Sequence, residues 1–177
     1  RVGVIQERTQ MRLNIECVGR EFVSPPFEYD WQQCALYALS IGASTNDLDY
    51  VWEGSQPFRV YPSFAVIPTQ SLVLDALKAV NANFRTLVHG AQTVRLNGPV
   101  PSSGILTSIG RIREIQDKGQ SAVVIVDTET RDTSGREVFS TSWSIVCVGQ
   151  GGFGGQRGQK RPLPEVESGA PELMNIV

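Results

Sequence analysis

The side chains that could transfer a proton or attack a substrate are few in this sequence. His89 is the only histidine among the 177 residues, and the cysteines are Cys17, Cys34 and Cys147. A nucleophilic thiol needs an adjacent base, and one histidine does not provide a triad with Cys34 or Cys147. Both cysteines fall on apolar faces of predicted elements, so core packing explains them. We therefore expect no cysteine nucleophile.

The sequence also contains no recognisable metal motif. The three cysteines are odd in number, far apart, and without the paired spacing of a zinc site or a disulfide framework. The paired acids Asp47 and Asp49 lie in a loop context with no apolar surroundings, which favours ordinary solvated carboxylates. We predict no metal, no cofactor, and a reducing, intracellular setting.

Composition and charge restrict the classes of partner. With 41% hydrophobic and 19% charged residues, a chain of this length can bury the core of one domain. The formal net charge of -2 and the pI near 5.5 disfavour nucleic acid, and the short arginine-glycine run GGFGGQRGQKR has too few basic residues to change this. No apolar run approaches the roughly 20 residues that span a bilayer, so we predict no membrane partner.

Prolines and glycines divide the chain into three segments. Residues 1–26 form a weakly periodic lead-in that ends at Ser24-Pro25-Pro26, because consecutive prolines provide no N–H group to a strand ladder. Residues 27–149 contain the regular patterns of one domain. Residues 150–177 are rich in glycine and proline, a composition that favours a mobile or surface-draped tail.

Helical signals are short. Asp30 can cap a helix, Gln33 can bond back to it as in a capping box, and Gly42 can end the helix. The apolar side of that helix would consist of Trp31, Cys34, Ala35, Ala38 and Leu39. A second helix is predicted at about residues 71–80. Residues 47–68 carry aromatic residues and prolines at no regular period, which predicts an extended, packed loop.

Alternation with a period of two predicts a sheet in the second half of the chain. Residues 139–147 place Phe, Thr, Trp, Ile and Cys on one face and mostly serines on the other. Residues 122–126 are apolar on both faces, as expected for a central strand covered on both sides. Further strands are predicted at residues 84–96 and 105–115. Four long antiparallel strands and a helix predict an α+β domain.

Glycines in this half predict irregular points in the sheet. Gly110 shifts the alternation of its segment, which predicts a β-bulge there. Asp117-Lys118-Gly119 and Thr133-Ser134-Gly135 have hairpin chemistry, because glycine accepts the positive φ that such turns need.

Several blocks occur in a characteristic order: YALSIGAS from Tyr37, VWEG from Val51, PSF from Pro62, His89-Gly90, and GGFGG from Gly151. From about residue 27 to residue 157 the chain resembles the amino-terminal half of hydratase 2, the MaoC-like (R)-specific enoyl-CoA hydratases of peroxisomal multifunctional enzymes type 2. The resemblance implies a hot-dog fold, in which a curled antiparallel sheet surrounds a short or degenerate central helix. It also implies that this half packs beside a second, catalytic half.

The implied reaction is the hydro-lyase step of fatty acid beta-oxidation that interconverts trans-2-enoyl-CoA and (3R)-3-hydroxyacyl-CoA. In the family, a carboxylate and an imidazole hold one water, and both come from a Gly-Asp-x-Asn-Pro-aliphatic-His motif in the carboxy-terminal half. This sequence contains no Gly-Asp pair and no Asn-Pro pair. We therefore predict no catalytic residue in this chain, and no hydration by the isolated polypeptide.

The resemblance implies that His89, Gly90 and Lys118 bind the substrate. A glycine lets a ligand approach the backbone closely, and an ammonium can neutralise a CoA phosphate. From the residues alone, His89 could equally be a hydrogen-bonded strand residue and Lys118 a solvated turn residue. The implied partners are acyl-CoA and a catalytic hot-dog half, or a second copy paired through the sheet. The implied location is peroxisomal, without a targeting signal in this chain.

Two other functions remain open at this point. The chain could be a non-enzymatic acyl-CoA-binding or scaffold module of the same fold, or a single-domain hot-dog thioesterase. Three assays separate these functions. Restored hydration on adding the missing half supports the hydratase half, and CoA binding without such rescue supports the binding or scaffold module. Thioester hydrolysis by the chain alone supports the thioesterase.

Overall fold

The computed structural model describes residues 12–158, and all the structural statements below concern that range. Its strands are β1 (Glu21–Val23), β2 (Phe27–Tyr29), β3 (Leu87–Leu96), β4 (Gly104–Asp117), β5 (Ser121–Asp132) and β6 (Glu137–Val148). Its α-helices are α1 (Trp31–Ser40), α2 (Leu48–Val51) and α3 (Gln70–Ala79). Short 3-10 turns occur at Ile15–Cys17, Pro62–Val66 and Phe84–Thr86.

The strands form one antiparallel sheet in the order β1-β4-β5-β6-β3, and β2 also pairs with β4. The prediction of four long antiparallel strands is confirmed. β3 begins at Leu87 rather than Phe84, because Asn83 caps the preceding 3-10 turn through its side-chain oxygen, which accepts from the Arg85 N–H. β5 lies at the centre, so each of its edges is fully paired.

The alternation of β6 determines which face of the sheet is inner. The five residues predicted to share a face are all buried, with exposed fractions of 0% to 8%: Phe139, Thr141, Trp143, Ile145 and Cys147. Their neighbours Ser140, Ser142 and Ser144 are half-buried on the outer face. The period-two prediction is therefore confirmed in this strand.

Helix α1 begins as its capping chemistry predicts. The Asp30 carboxylate accepts from the N–H groups of Gln32 and Gln33, and the Gln33 side chain accepts from the Asp30 N–H. The buried stripe consists of Cys34, Ala35 and Ala38. The inclusion of Leu39 in the apolar side was wrong, since Leu39 is 53% exposed. Successive residues of a helix point about 100° apart around its axis. Leu39 therefore points away from the narrow buried stripe that contains its neighbour Ala38.

Helix α3 confirms the second predicted helix. It also explains why residue 110 in β4 is a glycine. Leu72, Val73, Ala76 and Leu77 are buried against the inner face of the sheet. A Cβ added at Gly110 would lie 2.3 Å from Leu72 Cδ2. Gly110 pairs regularly with Phe22 and Thr128, and the register of β4 shifts instead between Ile112 and Glu114. The predicted bulge at Gly110 is therefore wrong. Residue 110 is a glycine because Leu72 of α3 packs directly against its backbone.

The inner face holds two apolar clusters. One gathers α3 with Ile112, Val126 and Trp143, and the other gathers Phe64, Tyr29 and Leu106 with their neighbours. Buried hydroxyl side chains lie between these clusters: Ser108 bonds Thr130 at 2.8 Å, and Thr128 bonds Thr141 at 2.7 Å. Because each hydroxyl has a partner, the row can be buried without the cost of unpaired polar groups.

The irregular segments are more ordered than the sequence predicts. Residues 47–68 contain α2 and the turn Pro62–Val66 between extended stretches. The lead-in contributes β1, which pairs with β4. The start of the tail lies on the sheet surface, where the Asp117 N–H donates to the Gln156 carbonyl at 2.9 Å. The remainder of the predicted tail, residues 159–177, falls outside the described range.

Candidate functional site

His89 and Gly90 lie near the start of β3, at the edge of the sheet. One side of β3 pairs with β6, and no strand among residues 12–158 occupies the other side. Val88, His89 and Gly90 are exposed, and Val88 is 53% exposed. Ten residues of strand present about 33 Å of unpaired backbone to any partner.

A β-bulge at Gly90 determines where the following side chains point. His89 pairs with Ile145, but Ala91 pairs with Ser144, so one extra residue is inserted at Gly90. In a regular strand, residues three apart point to opposite faces; the bulge puts His89 and Gln92 on the same inner face. A Cβ at Gly90 would lie 2.9 Å from Val146 Cγ2 and 3.2 Å from the Ser144 carbonyl oxygen, which explains the glycine.

The His89 ring is held on two sides. Its Nε2 atom lies 3.0 Å from Gln92 Oε1, and its ring stacks on Trp143 with centroids 5.0 Å apart and an interplanar angle of 12°. The Trp143 Nε1–H donates to Thr141 Oγ1 at 2.9 Å, and Thr141 bonds Thr128. A buried hydroxyl pair therefore fixes the indole plane on which an exposed imidazole rests.

Lys118 lies at the turn between β4 and β5, three strands away from β3. Neighbouring strands are about 4.8 Å apart, so three strand spacings put about 14 Å between His89 and Lys118 across the sheet, in addition to their offset along the strands. The structure does not bring them into contact. Lys118 Nζ donates to the Arg157 carbonyl oxygen, which ties this side chain to the start of the tail.

Asp117 anchors the glycine-rich segment beside this turn. Its carboxylate accepts from the backbone N–H groups of Gly119, Gly152 and Gly154 at 2.7 to 2.9 Å. These hydrogen bonds, chiefly those from Gly152 and Gly119, lower the pKa of Asp117 from 3.8 to about 2. The carboxylate is therefore a structural anion that holds the tail, and it is not suited to accept a proton near neutral pH.

The outer face of the sheet has a groove that the sequence did not indicate. It has a volume of about 800 Å³ and combines the apolar residues Val123 and Ile125 with the cationic residues Arg113 and Arg157. Arg113 is already paired with Asp127 at 3.0 Å. The groove lies on the face opposite His89, so it is separate from the candidate site.

Among residues 12–158, no group of three or more metal-ligating side chains occurs, and none of the helices has the length and apolarity to cross a bilayer. Burial raises the pKa of Cys34 to about 12 and that of Cys147 to about 11, so these thiols stay protonated. Core packing remains the explanation for both.

The comparison with protein families decides the classification. The family model described as the "MFE-2 hydratase 2 N-terminal domain" matches residues 27–149. The chain therefore belongs to the hydratase 2 family, as its amino-terminal domain type. The resemblance noted from the sequence blocks is confirmed.

Similar proteins include both bacterial and peroxisomal enzymes. The chain is 36% identical over 157 residues to the 3-hydroxyacyl-thioester dehydratase Y of Mycobacterium tuberculosis, covering 85% of this chain and 54% of that protein. It is 35% identical over 151 residues to the peroxisomal multifunctional enzyme type 2 of Mus musculus, covering 81% of this chain and 20% of that protein. The chain thus spans about half of the first relative and a fifth of the second.

A solved structure confirms the hot-dog fold. The MaoC-like dehydratase of Phytophthora capsici superposes with a TM-score of 0.73 at 20% sequence identity, covering 90% of this chain and 58% of that one. The predicted hot-dog fold, a curled antiparallel sheet with a short central helix, is therefore confirmed, and few helices accompany the sheet. Roles for His89, Gly90 and Lys118 do not follow from a shared fold and stay predictions.

The sequence did not single out two residues of the His89 site. Trp143 was predicted only as a core residue of β6, and Gln92 was not considered as a functional residue. A signal for Gln92 was present, because a glycine between two polar residues that are three positions apart in a strand, here His89 and Gln92, can mark a bulge that turns both to one face.

Proposed function

We propose that this chain is the acyl-CoA-binding half of a hydratase 2 type enzyme. The complete enzyme would interconvert trans-2-enoyl-CoA and (3R)-3-hydroxyacyl-CoA, with the carboxylate and imidazole for proton transfer supplied by a partner half. The observation that carries the proposal is an exposed imidazole, held by Gln92 and Trp143, beside a bulge glycine on the edge strand β3 of a hydratase 2 domain.

The geometry at His89 suits the binding of an extended polar arm. An exposed ring with a fixed plane offers hydrogen bonding without the entropy cost of ordering a free side chain. Gly90 is exposed at the bulge, so a ligand can approach its backbone from the side away from Val146 and Ser144. His89 has no carboxylate or metal partner among the described residues, which supports a binding role rather than a catalytic one.

Lys118 would serve a different part of the same ligand. Strand spacing puts Lys118 about 14 Å across the sheet from His89, and its bond to Arg157 ties it to the outer groove, so an extended CoA thioester that contacts both must pass from one face of the sheet to the other. Its ammonium group would offset phosphate charge, an interaction that salt screens. For this role, the Lys118 ammonium must contact a phosphate while it keeps its bond to the Arg157 carbonyl oxygen, or must give up that bond for the phosphate.

The edge strand β3 supports a partner of the same fold. An exposed ten-residue edge offers a row of backbone donors and acceptors to another strand, and the match covers only 54% of the Mycobacterium tuberculosis relative and 20% of the mouse relative. We propose that a catalytic hot-dog half, or a second copy, pairs through this edge. On mixing with a catalytic half, deuterium uptake at residues 87–96 should fall; unchanged uptake would contradict the pairing.

A peroxisomal location is proposed from the mouse relative, although the Mycobacterium tuberculosis relative is bacterial. Imaging of the full-length gene product in its own cells tests it.

Calorimetry with decanoyl-CoA, a saturated ligand that cannot be hydrated, tests the binding role. Wild-type chain should bind it, and His89→Ala should weaken binding about 5-fold, as expected for one lost neutral hydrogen bond. The matched control is Val88→Ala, the exposed neighbour on the outer face, which should bind as the wild type does. Equal affinity of the His89 variant and the wild type would reject the site.

Salt separates the role of Lys118 from that of His89. Lys118→Ala should weaken decanoyl-CoA binding mainly at low ionic strength, whereas Lys78→Ala, which removes an exposed lysine paired with Asp75 on α3, should not. An affinity of Lys118→Ala equal to wild type at low salt would exclude phosphate contact. Assay of the same samples for free CoA tests the thioesterase alternative.

A further inference from the structure

We propose that Gln92 is a positioning residue that holds His89 as the neutral Nε2–H tautomer, so that Nδ1 offers its lone pair to a neutral donor on the ligand. The chemistry that fits is an amide N–H of the pantetheine arm. The ligand part of this inference rests on the proposed function; the tautomer part does not.

The orientation of the Gln92 amide determines the tautomer. Gln92 Nε2 donates to the Thr93 carbonyl oxygen at 3.4 Å, and a carbonyl oxygen can only accept. The amide nitrogen therefore faces Thr93, and the amide oxygen faces the imidazole. Since that oxygen is also only an acceptor, the His89 Nε2 atom 3.0 Å away must carry the hydrogen.

The ring plane is fixed independently of this hydrogen bond. Stacking on Trp143 restricts the imidazole to one plane, and the indole is itself held through Thr141. With the plane set by Trp143 and the in-plane rotation set by Gln92, the direction of Nδ1 is determined. No group among residues 12–158 hydrogen-bonds to Nδ1, so it is available to a ligand.

The groups around the imidazole are uncharged. The side chains that touch the ring, Gln92 and Trp143, are uncharged, and so is Ile145 opposite His89 on β6. The 3-10 turn Pro62–Val66 that packs against β3 contains no ionisable residue, and Arg95 lies on the outer face. A neutral ring suits an amide donor, whereas a phosphate would be recognised by the charged form.

Nitrogen NMR on the untagged chain tests the tautomer directly. Because His89 is the only histidine, its two ring nitrogens need no further assignment. At a pH where the ring is neutral, Nε2 should be the protonated nitrogen and its proton should exchange slowly with water. In Gln92→Ala that proton should exchange fast, while in Thr93→Ala, which keeps the backbone carbonyl, it should not. A protonated Nδ1 in the wild type would overturn the inference.

Binding of decanoyl-CoA tests the use of Nδ1. Gln92→Ala should weaken binding about 5-fold, as one misdirected hydrogen bond would. Gln92→Glu should bind like the alanine variant near neutral pH, because its carboxylate favours the imidazolium and so places a proton on Nδ1; it should recover as pH rises. Affinity that equals wild type in Gln92→Ala, with His89→Ala still weakened, would overturn the positioning role.

The pH profile separates an amide from a phosphate as the bound group. Protonation of Nδ1 removes the lone pair that would accept from the ligand, so wild-type affinity should fall on acidification, relative to His89→Ala as the control that corrects for titration of the ligand. Affinity that rises on acidification relative to that control would show phosphate recognition and overturn the inference. If the wild type binds no decanoyl-CoA, the proposed function and the ligand role both fail, and the NMR result alone decides the tautomer.

Discussion

Substitution of Gly110 by alanine tests how helix α3 is seated on the sheet. The added Cβ would lie 2.3 Å from Leu72 Cδ2, and 3.2 Å from both the Asp127 carbonyl oxygen and Thr128 Cγ2. Gly110 is paired on both sides, with Phe22 and Thr128, so its strand cannot retreat. Leu72 is 1% exposed, so its side chain can give way only within the buried core.

Two effects of opposite sign compete in this variant. Replacing glycine by alanine stiffens the unfolded chain and would by itself stabilise the protein by about 0.4 to 1 kcal/mol. Overpacking of a filled core costs about 1 to 3 kcal/mol. The contact distance of 2.3 Å places this site well inside the repulsive range, so we expect a net loss of about 1 to 2 kcal/mol in the free energy of unfolding.

Urea unfolding of a double-mutant cycle checks the cause. Leu72→Ala alone should cost about 2 to 5 kcal/mol through the cavity that it leaves. In the Leu72→Ala background, Gly110→Ala should cost about 1 kcal/mol less than in the wild type, because the clashing methyl is gone. Additive losses, or a Gly110→Ala protein as stable as wild type, would refute the packing argument.

Two further predictions concern Asp117 and the cysteines. The pKa of Asp117 is lowered from 3.8 to about 2. The stability that the Asp117 carboxylate contributes is therefore fully present above pH 3.8 and is lost as the pH falls through about 2. Asp117→Asn should therefore unfold at lower urea than wild type at pH 7, and the difference should shrink towards pH 2; a constant difference would contradict the charged anchor. Because burial raises the pKa of Cys34 to about 12 and that of Cys147 to about 11, neither should react with iodoacetamide at pH 8 unless the protein is unfolded, as mass spectrometry can show. Rapid labelling of either in the folded chain would argue against the buried positions.

Features with a local chemical cause could be predicted from the sequence. The start of α1 depends on Asp30 and Gln33, which lie three residues apart and cap each other without help from the rest of the chain. The inner face of β6 follows from simple alternation between apolar and polar side chains. Both predictions needed no knowledge of which elements pack together.

Features that depend on tertiary contacts could not be predicted in this way. A glycine inside a strand can mark either a bulge or the close approach of another element. Gly110 is needed because Leu72 approaches its backbone, whereas Gly90 is the bulge residue where the register of β3 with β6 shifts. The stacking of His89 on Trp143 joins two strands whose pairing the sequence does not specify. The separation of His89 from Lys118 likewise depends on the strand order.

The most direct test of the central claim is a complementation assay with trans-2-decenoyl-CoA, followed by loss of the enoyl thioester absorbance. The chain alone should give no hydration, and its mixture with the separately purified carboxy-terminal half of a hydratase 2 enzyme should give more turnover than that half alone. His89→Ala should reduce the gain, and Val88→Ala should not. Hydration by the chain alone, or no gain on mixing, would contradict the account.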